Sequence, residues 1–110
     1  MGDAKTVKTI CESFNKRSAD TKSNLIKAYA NNNIPDLRRH AHSLKGASGY
    51  ICSDLLKNSA LKLQLACDAV NNGETTDLSE VEDLLQQLYE QLALVMAAVD
   101  EHLKSLAKPP

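Results

Sequence analysis

Tryptophan is missing from this chain, and only Phe14, Tyr29, Tyr50 and Tyr89 are aromatic. Platforms on which bases could stack are therefore scarce, and a formal net charge of −1 supplies no field to hold a polyanion, so no nucleic acid partner is expected. Glycine (four) and proline (three) are sparse and β-branched runs are lacking, which argues against a turn-rich strand architecture. The three cysteines are odd in number and contain no CxxC pair, so neither a disulfide framework nor a thiolate metal site is indicated. No apolar run reaches membrane length and no signal peptide is visible. A reduced, cytoplasmic protein with no membrane partner is the expectation. There is also no glycine-rich loop between a strand and a helix to cradle phosphates, so the chain is not expected to be a kinase.

What remains is leucine, alanine and charge arranged at helical spacing. The length suits one domain over residues 1–110, with a core from about 4 to 106. Residues 4–31 carry Val7, Ile10, Cys11, Phe14, Ser18, Thr21, Leu25, Ala28 and Tyr29 on one face, which predicts a long helix with a soft, polar centre around residues 15–24. Asn31-Asn32-Asn33 ends it, and Pro35 and Asp36 suit the first turn of the next. That second helix is expected over 34–52, burying Ile34, Leu37, Ala41, Leu44, Ser48 and Ile51. A turn at Ser53-Asp54 leads to a third helix over 54–71, with Leu56, Ser59, Ala60, Leu63, Cys67 and Val70 inward. Asn71-Asn72-Gly73 stops it. Asp77 and Ser79, each three residues before a glutamate, make capping-box-like starts for the last helix. Val81, Leu85, Leu88, Leu92, Val95, Val99, Leu103 and Leu106 form its stripe. Four helices with short connections predict an all-α, antiparallel, up-down-up-down bundle.

The second helix has a second face. At about 100° per residue, Arg38, His42, Lys45, Gly46 and Gly49 fall together, away from the core stripe. Glycine inside a helix costs about 1 kcal/mol relative to alanine. Two of them beside an exposed histidine suggest a surface kept low for a partner.

Counting from the turn at Ser53, His42 lies eleven residues before and Gln64 eleven after, so an antiparallel hairpin brings them to one height, with Gln64 on the flank of its helix. A glutamine amide there would decide which ring nitrogen is free. Cations at Lys45 and Arg38 favour neutral imidazole, a nucleophile toward phosphoryl groups, and would neutralise phosphoryl oxygens. A metal site fits poorly, because His40 and His42 are about 200° apart around the helix at the same pitch and His102 lies on another helix. Leu61 and Leu65 stand beside Gln64 off the main stripe, and either form an apolar docking patch or pack against a neighbouring helix. Asp77, Glu80, Glu82, Asp83 and Glu90 are expected to be a solvated face.

Ala41-His42-Ser43-Leu44-Lys45-Gly46 resembles the AHxLKG signature of histidine-containing phosphotransfer (HPt) domains, and the likeness extends over nearly the whole chain. The resemblance implies a phosphorelay intermediate. A receiver-domain aspartate would supply a phosphoryl group to His42, and another receiver's aspartate would take it. Lys45 would stabilise the group, Gly46 give it room, and Gln64 orient the ring or bind the phosphoryl group. The carrier would need no cofactor of its own, Mg²⁺ coming with the receiver. The family often has glycine ten residues after the histidine; Cys52 stands there instead, which touches the local turn more than the chemistry. The alternatives are a helical interaction module that uses the same face without phosphotransfer, and a metal-binding bundle.

Overall fold

The computed structural model describes residues 4–51 and 53–107. Cys52 and the proline pair at the end of the chain lie outside the described residues, so the departure at Cys52 and the expected proline stop have no structural counterpart here. Four helices follow one another: α1 (Ala4–Ala30), α2 (Ile34–Tyr50), α3 (Asp54–Asn71) and α4 (Ser79–Ala107). No strand occurs among the described residues.

Local chemistry sets the boundaries. The soft centre of α1 does not break it: one helix runs through. Its end is made by Asn32, which adopts a positive φ of 55°, a conformation asparagine tolerates better than most residues. The Asn33 side chain then accepts a hydrogen bond from the Asp36 N–H (3.2 Å) and caps α2, with proline in the first turn. Ser53 caps α3 by accepting from the Leu56 N–H (3.3 Å). Gly73, at φ 76°, supplies the left-handed residue beyond α3. At the start of α4, Asp77 accepts from the Ser79 N–H (2.9 Å), which holds its carboxyl below the usual carboxylate range. The expected capping boxes do not close: Glu82 instead accepts from the Tyr29 hydroxyl of α1 (3.2 Å).

The buried stripes meet in one core. Leu25, Leu37, Leu44, Leu56, Leu63, Leu88 and Leu92 are all less than 2 % exposed. Each contributes about 2 kcal/mol of burial, set against the entropy of ordering the chain. Along α1, Asn15, Lys22 and Tyr29 meet Met96, Tyr89 and Glu82 in turn. As one number rises the other falls by the same step, so α1 and α4 run antiparallel. α1 packs on α2 and α4, and α3 on α2 and α4, which makes a four-sided bundle.

The bundle is long and slender, 56 × 24 × 17 Å. Its outer pair, with 27 and 29 residues, outruns α2 and α3, with 17 and 18. The excess lies beyond the α2–α3 turn. Ile10 sits near this end and is 39 % exposed, not buried with the α1 stripe as its spacing suggested. It lines an open apolar groove of about 560 Å³ with Val7, Tyr50, Val99 and His102.

Candidate functional site

The site stands on the α2–α3 seam, where two side-chain pairs form successive rungs. His42 Nδ1 lies 3.0 Å from Gln64 Oε1. One turn away, Arg38 donates through Nε to Asp68 Oδ1 at 3.0 Å. His42 follows Arg38 by four positions while Gln64 precedes Asp68 by four, so this hairpin too is antiparallel. Positions four apart on a helix share a face, so each helix presents both members of its ladder together.

The His42–Gln64 contact decides the tautomer. A carbonyl oxygen only accepts, so Nδ1 carries a hydrogen, and in the neutral form of the ring the lone pair is on Nε2. His42 is exposed, whereas Gln64 is only 7 % exposed. The glutamine is therefore not on an open flank: it is sunk between the helices and reaches out to the ring. A buried amide with one hydrogen-bonded end gives the imidazole a fixed support.

Lys45 is half-buried one turn beyond His42 and has no ion pair among the described residues. Arg38 differs. Expected beside the ring as a second free cation, it is charge-compensated by Asp68, with both side chains about one-third exposed (38 % and 35 %). Gly46 and Gly49 are exposed, and a methyl group added to either would meet nothing within 4 Å. No packing inside the molecule requires them to be glycine. Leu65 is 56 % exposed, so it does not pack away against a neighbouring helix, and Leu61 is half-buried. The acidic positions Asp77, Glu80, Glu82, Asp83 and Glu90 are all exposed, as a solvated face should be.

Two features were missed from sequence. Asp68 is one; the count that found Gln64 would have found it, since Arg38 and Asp68 each lie fifteen residues from Ser53. The other is a groove of about 400 Å³ on the opposite flank of the histidine helix, where Arg17 and Thr21 of α1 face Ser43, Gly46 and Tyr50. Tyr50 is 74 % exposed. No periodicity within one helix signals such a cleft between two.

Other chemistries find little here. Among the described residues no group of three or more His, Cys, Asp and Glu side chains could hold a metal ion. Behind the seam Cys67 is fully buried, and its thiol is pushed up to about 11 by burial, then by Asp68, with Arg38 opposing. Such a group is a packed apolar residue, not a nucleophile. An exposed imidazole with Nδ1 tied back and a lysine one turn away is equipped to take a small electrophile carrying negative oxygens.

Comparison with protein-family models matches residues 9–106 to the Hpt domain. Comparisons with curated proteins and with solved structures give no significant match. No helix among the described residues is long and apolar enough to cross a membrane. Hpt domains are phosphocarrier modules, not kinases; they carry out histidine phosphotransfer in two-component phosphorelays and interact with receiver domains. The match reaches into all four helices of the bundle, and the chain belongs to the Hpt domain family.

Proposed function

We propose that His42 is the phosphoacceptor of a relay between two receiver domains. The observation that carries this reading is the His42–Gln64 contact, which leaves Nε2 as the free nucleophile on an exposed face. In the forward step Nε2 attacks the phosphorus of a receiver's aspartyl phosphate. The N–P bond forms, the acyl P–O bond breaks, and the aspartate leaves as carboxylate. No proton has to move. The ring becomes a phosphoimidazolium whose charge is shared with Nδ1–H, and Gln64 Oε1 accepts from a stronger donor than before. The second step runs the same bonds in reverse onto another receiver's aspartate.

Lys45 would meet the phosphoryl oxygens as a mobile point charge. Gly46 and Gly49 would leave clearance for the partner, with Leu65 and Leu61 as an apolar rim on one side. Mg²⁺ would come with the receiver. Residues 1–110 would act as one domain, in the cytoplasm, where the free thiols of Cys11 and Cys67 stay reduced.

Replacing His42 by Gln tests the assignment. Uptake of label from a phosphorylated receiver should be abolished while helicity stays intact. Normal labelling of that variant would overturn the reading.

A further inference from the structure

Arg38 has two anions within its reach once His42 carries a phosphoryl group, and only one of them is present in the free protein. It stands one turn before His42 on the outward side of α2, a separation of about 5–6 Å between Cβ atoms. Its bond to Asp68 is made through Nε, at the edge of the guanidinium. A guanidinium has five N–H groups, so the bond leaves donors for a second partner. Both side chains are about one-third exposed, so solvent screens the pair and it exchanges more readily than a buried one. A dianionic phosphoryl group offers a stronger, forked acceptor.

We infer that Asp68 parks Arg38 in the unphosphorylated domain and competes with the phosphoryl group for it, so that Asp68 is a positioning residue that limits how firmly phosphohistidine is held. A carrier must release what it accepts. An arginine committed wholly to the phosphoryl group would favour uptake over delivery; a carboxylate one turn below Gln64 moderates it. The competing pair is partly exposed and screened by solvent, so its removal should change the balance by a factor of up to about five. This inference rests on phosphorylation of His42.

The sign of the effect separates this role from a staple between α2 and α3. A staple predicts that loss of either partner loosens the seam, lowers the melting temperature and shortens the life of the phosphohistidine. Competition predicts opposite signs. With the intact domain phosphorylated by the small molecule phosphoramidate, so that no receiver is needed, Asp68→Asn should lengthen the phosphohistidine half-life roughly twofold to fivefold. Arg38→Met should shorten it, Asp68→Glu should restore the original value, and Asp68→Asn should have no effect in the Arg38→Met background. The Arg38 Nε–H resonance of the unmodified sequence should also move on phosphorylation. A labelled domain whose half-life is unchanged or shorter in Asp68→Asn, or whose Arg38 resonance stays still, overturns this inference alone. Absence of label on His42 in the unmodified sequence overturns the phosphoacceptor reading, and this inference with it.

Discussion

Replacing Gly46 by Ala should make the protein more stable and less active. Gly46 lies inside α2, where glycine costs about 1 kcal/mol relative to alanine because more backbone freedom is lost on folding. An added Cβ meets nothing within 4 Å, so no clash offsets that gain. For a domain of this size, 1 kcal/mol raises the midpoint of thermal unfolding by about 4–8 °C. The same methyl group stands one turn beyond His42 on the open face. A partner that must come close to the ring meets it first, and a displacement of about 1 Å at the reacting atoms is enough to cost on the order of 100-fold in rate. Thermal unfolding followed by circular dichroism reads the first effect, and single-turnover transfer from a phosphorylated receiver reads the second. A stabilised variant that transfers at the original rate would refute the clearance argument. A variant that melts at a lower temperature would refute the helix argument beneath it.

Lys45→Ala should slow transfer or shorten the phosphohistidine half-life while leaving the melting temperature nearly unchanged, because the lysine has no ion pair to lose among the described residues; unchanged kinetics would remove it from the site. Ser18→Ala should stabilise the domain by about 1 kcal/mol in chemical denaturation, since Ser18 is 1 % exposed and its hydroxyl has no hydrogen-bond partner, and unsatisfied buried groups are costly; a loss of stability would mean that the hydroxyl is bonded after all. Burial of the Cys67 thiol predicts an alkaline limit: its folded pKa of about 11 lies above the ordinary thiol value of 9.0, so both states hold the proton below pH 9 and the folded state is penalised as pH rises from 9 toward 11. Unfolding free energy should fall by roughly 1 kcal/mol per pH unit over that window, and Cys67→Ala should flatten the slope between pH 9 and 10; an unchanged slope would show that the thiol does not titrate with folding.

Helix order and most of the core were legible in the sequence because the apolar spacing is regular and the stops are strong. Asn31-Asn32-Asn33 and Asn71-Asn72-Gly73 mark ends that the positive φ angles at Asn32 and Gly73 explain physically. Periodicity reads a face without knowing what covers it. Ile10 shares the spacing of a buried stripe, yet it belongs to the part of α1 near the end where α2 and α3 stop, so it remains open to solvent.

The rung of the seam at His42 was legible for a different reason. Equal distance from a tight turn fixes height in an antiparallel hairpin, and that alone places Gln64 across from His42. Depth was not given by height. Whether Gln64 lies on a flank or between the helices depends on rotation of α3 about its axis, which core packing settles. Charge compensation was harder still. Arg38 read as a free cation because its face is basic along α2, while the carboxylate that neutralises it comes from another helix, thirty positions away. An electrostatic reading confined to one helix counts only half of the charges at a seam.

The central claim is that Nε2 of His42 receives the phosphoryl group, and phosphorus–nitrogen NMR of the labelled domain tests it most directly. The domain is incubated with a phosphorylated receiver, and the product is checked for the acid-labile, base-stable behaviour of phosphohistidine. The account predicts a single phosphohistidine at residue 42, bonded through Nε2 with the hydrogen retained on Nδ1, and no label in His42→Gln. A phosphoryl group on Nδ1, on another residue, or on the His42→Gln variant would contradict it.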